Sequence, residues 1–216
     1  MDVKKNKSLL HNCKLYGIID TGYVKTPDFI PIAKALCDAG IGILQFRAKN
    51  WSPSKILPHA AALKDLCQSY DCLFVVNDFP TVAAEINADA LHIGQDDGTL
   101  NEVREIVGDS ILVGRSTHSP EQAQKALNDG FDYIGFGPLF PTPTKAGRPG
   151  IGLNHIAAIE SSVGSKIPVF CIGGIKASNL DEVIAAGARR VVIVSDILQS
   201  QNPQVHVAKI LSKLDK

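Results

Sequence analysis

Eight short apolar runs, rich in β-branched residues, recur along the chain with helical patterns between them. They lie at 15–20, 42–46, 72–77, 90–94, 112–116, 133–136, 168–172 and 190–194. Each is nearly unbroken in apolar residues, the pattern of a parallel strand covered on both faces. The intervening stretches repeat at helical spacing. At 27–39, for instance, Phe29, Ala33, Leu36 and Cys37 fall on one face. Ser52-Pro53 and Ser119-Pro120 read as helix starts, and Gly40, Gly130 and Gly187 follow helix ends. Strand and helix in alternation make βαβ units and a parallel sheet. Eight units predict closure into an α/β (β/α)₈ TIM barrel, with a doubly wound open sheet as the alternative. The 216 residues suit one such barrel, which takes roughly 200–250. With no linker in view, residues 1–216 read as one domain, and 1–12 as an N-terminal extension.

Charge narrows the range of partners. Lys plus Arg and Asp plus Glu balance at 22 each, so no global field draws the chain to nucleic acid or to a membrane. No stretch reaches the roughly 20 apolar residues of a membrane span, and the basic, polar residues 1–8 lack the apolar core of a secretory signal. A cytoplasmic location is the expectation. The five cysteines, Cys13, Cys37, Cys67, Cys72 and Cys171, show no metal-ligand spacing. They read as small core hydrophobes in a reducing compartment.

In a barrel of this kind the active site forms at the C-terminal ends of the strands. Polar residues and glycines accumulate there. Gln45, Arg47 and Lys49 alternate to one side after the second run, a set suited to an oligophosphate or to a solvated edge in which Arg47 pairs with a helix carboxylate. Asn77-Asp78 ends the third run and Asp96-Asp97-Gly98 follows the fourth. Asp78 and Asp97 can share a Mg²⁺, or serve as a helix cap and a turn. Asp96 is expected to face solvent or cap the next helix. After the fifth run Ser116 is placed to contact a ligand, while His118 is either an acid/base group or structural. The segment 135–150 holds four prolines, so it is a shaped loop; Thr142, Thr144 and Lys145 can donate to a phosphate there, unless it is a plain surface excursion. Gly173-Gly174 and Val194-Ser195 end the last two runs, where barrels often build a phosphate site from backbone N–H groups. Packing is the alternative for the glycine pair. Two phosphate-competent regions result, one cationic and one made of backbone donors.

These residues carry a resemblance. Gln-Phe-Arg-Ala-Lys at 45–49, Val-Asn-Asp at 76–78 and His-Ile-Gly-Gln-Asp-Asp at 92–97 resemble the motifs of the thiamine-phosphate synthase family. So do Gly-Pro-Leu-Phe-Pro-Thr-Pro-Thr-Lys at 137–145 and Ile-Gly-Gly-Ile at 172–175, all in order over nearly the whole chain. The resemblance implies a transferase that joins hydroxymethylpyrimidine diphosphate to a thiazole phosphate, or its carboxylated form, with release of pyrophosphate. It implies that Gln45, Arg47, Lys49, Asn77, Ser116 and Lys145 hold the pyrimidine diphosphate, with Arg47, Lys49, Ser116 and Lys145 the catalytic contributors. It further implies Mg²⁺ on Asp78 and Asp97, and the thiazole phosphate on Thr142, Thr144, Gly174, Val194 and Ser195. The implied reaction is dissociative and needs no base. Its partners are two small phosphorylated substrates, and a homodimer is compatible with it. The loop around 142–150 is the expected cover for the intermediate cation. Ala48, Phe79 and Arg115 depart from the family pattern without replacing an implied ligand. Gly-Arg-Ser-x-His-Ser at 114–119 also resembles the related thiazole tautomerase, in which His118 would act as acid/base. A non-catalytic phosphate-binding protein is the third reading.

Overall fold

The computed structural model describes residues 2–142 and 149–215. The eight strands are β1 (Leu15–Asp20), β2 (Ile43–Arg47), β3 (Leu73–Asn77), β4 (Ala90–Ile93), β5 (Leu112–Thr117), β6 (Tyr133–Phe136), β7 (Val169–Ile172) and β8 (Val191–Ile193). Each pairs in parallel with the next, and β8 returns to β1, so the sheet closes as the alternation predicts. β2 runs one residue beyond its apolar run, through Arg47, which pairs with Asp20 at the end of β1.

Helices fill the expected gaps: α1 (Val3–Asn12), α2 (Phe29–Asp38), α3 (Pro53–Gln68), α4 (Pro80–Glu85), α5 (Leu100–Val107), α6 (Pro120–Asp129), α7 (Ile156–Ser162), α8 (Leu180–Ala185), α9 (Ser195–Leu198) and α10 (Pro203–Leu214). Residues 26–28, which overlap the start of the expected 27–39 helix, form a 3₁₀ turn, and Phe29, Ala33, Leu36 and Cys37 are the buried face of α2. Ser119 caps α6 through its hydroxyl, and Gly130 ends that helix in the left-handed region. Ser52 precedes α3 but does not cap it; its hydroxyl pairs with that of Ser54. None of these helices is long and apolar enough to cross a membrane.

Two apolar layers separate inside from outside. The larger lies between strands and helices, while Tyr16, Ile43, Val75, Leu112, Tyr133 and Phe170 fill the barrel interior. Gly114 belongs to this packing: a Cβ there would run into the Tyr133 ring. The segment read as an extension closes the lower mouth. Leu10 of α1 is buried in the interior cluster. Around it, α1 is tied to residues that precede strands: Asn6 Nδ2 donates to Asp89 (3.2 Å), Lys7 pairs with Asp132 (3.1 Å) and Arg190 donates to the His11 carbonyl (2.8 Å).

Candidate active site

At the opposite mouth the strand ends surround a cleft with two compartments. One reaches down the barrel axis from Gly173, Gly174, Val194 and Ser195 to Tyr16 and Gln45. The other lies over β2 to β4 and is walled by Lys49, Asp78, Gln95, Asp96 and Asp97. Arg47, Asn77, Ser116 and His118 border both. The expected pyrimidine-diphosphate residues within the described part of the chain therefore line one continuous space. Thr144 and Lys145 lie outside the described residues, as does most of the expected loop cover.

Gln45, Arg47 and Lys49 share a side, as alternation requires, but at different depths. Gln45 is buried inside the barrel, where its Nε2 donates to the Tyr16 hydroxyl (2.7 Å). Burial pushes the pKa of the Tyr16 and Tyr133 phenols up, so both stay protonated donors at the cleft floor. Arg47 pairs through Nη1 with Asp20, whose side chain is 3% exposed, so its partner is a strand-end carboxylate rather than a helix one. The Gly22 N–H donates to the other Asp20 oxygen (2.8 Å). Asp20 thus fixes the guanidinium where its remaining donors can meet an anion. Lys49, beyond the strand end, is exposed and walls only the outer compartment.

Asp78 does not cap α4; the residue at that cap is Phe79, with no side-chain bond. Instead Asp78 takes a left-handed turn, φ 62°, with its N–H donating to the His92 carbonyl (3.0 Å). Its carboxyl pKa is raised, first by burial and then by the facing Asp97 carboxylate, while Asn77 and Lys49 pull the other way. Asp97 accepts the Gly94 N–H (2.7 Å), so its turn role and its site role coexist. Asp96 faces solvent, and the cap of α5 is Thr99, boxed with Glu102. Two carboxylates that disfavour each other's charge, at the ends of neighbouring strands, are a donor set that fits a divalent cation. Arg115 explains its own departure. It clamps the β4 loop, donating to the carbonyls of Gly98 (2.6 Å) and Gln95 (2.8 Å). Ala48 and Phe79 both pack against the core.

The β7–β8 side is built from backbone. Gly173 and Gly174 have φ 100° and 65°, a region costly to other residues. Packing also requires them: a Cβ on Gly174 would lie 2.7 Å from Phe140 Cβ. Asp196 ties the two loops together, accepting the Ala177 N–H (2.9 Å) and pairing with His206 (2.7 Å). Thr142 lines the same inner compartment.

Two histidines face the cleft. His92 Nε2 is 3.0 Å from the Ser116 hydroxyl. His118 Nδ1 bonds the Gly137 carbonyl, which can only accept, so that nitrogen carries a proton. The His118 N–H donates to Gln122 (2.8 Å). Sequence reasoning passed over Tyr16, Asp20, His92 and Tyr133. For Tyr16 the phase of Asp20, the polar end of the same strand, was a partial signal by alternation, and the β1–β2 register sets both in line with Gln45 and Arg47.

Residues 15–197 match the family described as thiamine monophosphate synthase. A thiamine-phosphate synthase of Lawsonia intracellularis is 40% identical over 91% of this chain and 90% of its own length. One from Nostoc sp. is 36% identical over 96% of this chain, which spans only 58% of that relative. The solved thiamine phosphate pyrophosphorylase from Pyrococcus furiosus superposes with a TM-score of 0.84 and 30% identity, over 98% of each chain.

Proposed function

The chain belongs to the thiamine monophosphate synthase family, and from that premise we propose that it joins two phosphorylated substrates in its double cleft. The substrates are 4-amino-2-methyl-5-hydroxymethylpyrimidine diphosphate and 4-methyl-5-(2-phosphoethyl)thiazole, the latter with or without a carboxylate. The products are thiamine phosphate and pyrophosphate, with CO2 as a third product when the thiazole carries the carboxylate. One observation carries this reading: a compartment of cations and carboxylates and a compartment of glycine backbone share the wall of Arg47, Asn77, Ser116 and His118. A single phosphorylated substrate would need one of them.

In this reading Arg47, held by Asp20, and Lys49 grip the diphosphate, and Lys145 joins them from the loop. Asn77, Ser116 and Gln45 orient the pyrimidine. Asp78 and Asp97 are the residues to hold Mg²⁺, which when bound neutralises diphosphate charge. The bond from the pyrimidine methylene carbon to the diphosphate oxygen breaks first, and its electron pair leaves with pyrophosphate. The 4-amino group of the ring stabilises the cation left behind. The thiazole nitrogen then donates its lone pair to that carbon. Thr142 and Thr144 position the thiazole, and its phosphate sits at Gly174, Val194 and Ser195. A neutral ring nitrogen needs no base, which fits a His118 engaged in holding a backbone carbonyl. Electrostatic stabilisation of the leaving group and alignment of the nucleophile supply the catalysis.

Incubation with both substrates and Mg²⁺, followed by mass, tests the reading. Thiamine phosphate is expected. Recovery of only isomerised thiazole phosphate would replace this reading with a tautomerase acting through His118.

A further inference from the structure

Far from the cleft, three of the five cysteines converge. Cys37 lies one residue from the end of α2, Cys67 one residue from the end of α3, and Cys72 just before β3. Their separations in sequence, 30 and 5 residues, give no hint of this. In space the three sulfurs lie within 4.8 Å of one another, and the residues are 5%, 0% and 4% exposed. None of them walls either compartment of the cleft.

We propose that Cys37, Cys67 and Cys72 form a binding site for one thiophilic d¹⁰ metal ion, held by three sulfurs in the outer layer of the barrel. The spacing supports it. A thiolate–metal bond is about 2.3 Å, so three sulfurs around a central ion stand roughly 4 Å apart. Little side-chain movement separates that geometry from the one observed. The chemistry of the donors selects soft ions over Mg²⁺ or Ca²⁺. Among the described residues no fourth His, Cys, Asp or Glu joins the group. The site therefore suits an ion content with three sulfurs rather than one that demands a protein tetrahedron. Binding of a divalent ion to three thiols gives one tris-thiolate complex of charge −1 and releases three protons, so charge balances. Entry would run through the turn 69–71, where Asp71 is exposed and pairs with Lys5 of α1. A bound ion would pin α2, α3 and the start of β3 together.

Cd²⁺ is the probe, titrated without oxygen into the reduced full-length protein. Thiolate-to-cadmium absorption is expected to saturate at one ion per chain, with release of protons and a rise in melting temperature. Carboxylates give no such band, and excess Mg²⁺ in every sample competes for Asp78 and Asp97, so that the rise in melting temperature also reports on the cysteines. Cys37→Ala and Cys67→Ala should each lose the saturating band and the rise in melting temperature. Cys13→Ala and Cys171→Ala should keep both. If a cluster variant does not fold, the wild type alone decides through stoichiometry and proton release. Absence of a saturable band in the wild type, or a band that survives loss of both Cys37 and Cys67, would overturn the proposal and leave three ordinary core residues.

Discussion

The two mouths of the barrel are made by opposite ends of the same eight strands, yet they are finished in opposite ways. The lower mouth is sealed. Leu10 enters the apolar interior, and the polar ties of α1 go to Asp89, Asp132 and Arg190, each just before a strand. The upper mouth is left open and carries features that cost stability. Burial and then the facing Asp97 raise the Asp78 pKa, Arg47 and Asp20 are a largely desolvated pair, and Gly173 and Gly174 hold backbone that would be costly to any other residue. The contrast teaches where to look: below, polar groups tie α1 to the approaches to the strands, and above, cations, carboxylates and glycine backbone line an open cleft.

Substitutions can break or sharpen that division. The largest effect is expected from Asp78→Ala/Asp97→Ala. Mg²⁺-dependent pyrophosphate release should fall by on the order of 10³-fold or more, since several charge-stabilising interactions go at once. Relief of the buried Asp78 carboxylate is offset by the lost Asp97–Gly94 bond and by alanine in left-handed backbone, so thermal stability should change far less than the rate. Undiminished turnover in this double variant would sink the metal assignment. Next comes Leu10→Ala at the other mouth. A buried leucine truncated to alanine costs about 2–5 kcal/mol, and each kcal/mol is roughly 2–4 °C of melting temperature at this size. Turnover at 25 °C should stay near wild type, and a large loss of kcat in a folded sample would break the division.

Gly174→Ala sits between the two. Left-handed backbone on a residue with a Cβ costs about 1–3 kcal/mol, and the crowding against Phe140 adds to it. The functional signature should be a raised KM for the thiazole phosphate, with KM for the pyrimidine diphosphate little changed. Equal rises in both, measured by varying each substrate in turn, would mean that the glycine pair serves packing alone. The smallest effect belongs to His118→Ala, expected to keep coupling within about tenfold, the scale of one lost positioning hydrogen bond. Complete loss of coupling would favour an acid/base role.

Much of this was legible in the sequence because parallel barrel strands are continuous apolar runs whose ends are marked by the first polar residues. That rule pointed to Arg47, Asn77, Asp78, Asp97 and Ser116, all of which the structure puts on the walls of the cleft. It failed for Tyr16, Tyr133 and His92. These lie within the runs, where composition does not say which face a residue takes. Gly114 would have been the clue to Tyr133, but a pairing of glycine with a ring across two strands depends on register. Arg115 looked like an unexplained departure because its partners are carbonyls, which leave no mark in a sequence. Residues 1–12 precede the first strand run, as an N-terminal extension does, and their packing left little trace in the sequence because α1 buries only Asn6 and Leu10. The cysteine cluster was hidden for a related reason, since its members come from the ends of two helices and the approach to a strand.

The most direct test sets one variant from each mouth side by side: Lys49→Ala, exposed above, and Leu10→Ala, buried below. For each, thermal unfolding and the rate of thiamine phosphate formation with both substrates and Mg²⁺ would be measured on the same preparation. Lys49→Ala should lose on the order of 10²-fold in rate, a typical loss for one charge-stabilising group, with its melting temperature unmoved. Leu10→Ala should melt several degrees lower and turn over normally at 25 °C. Loss of stability in the first, or loss of rate in a fully folded second, would contradict the separation of chemistry above from stability below.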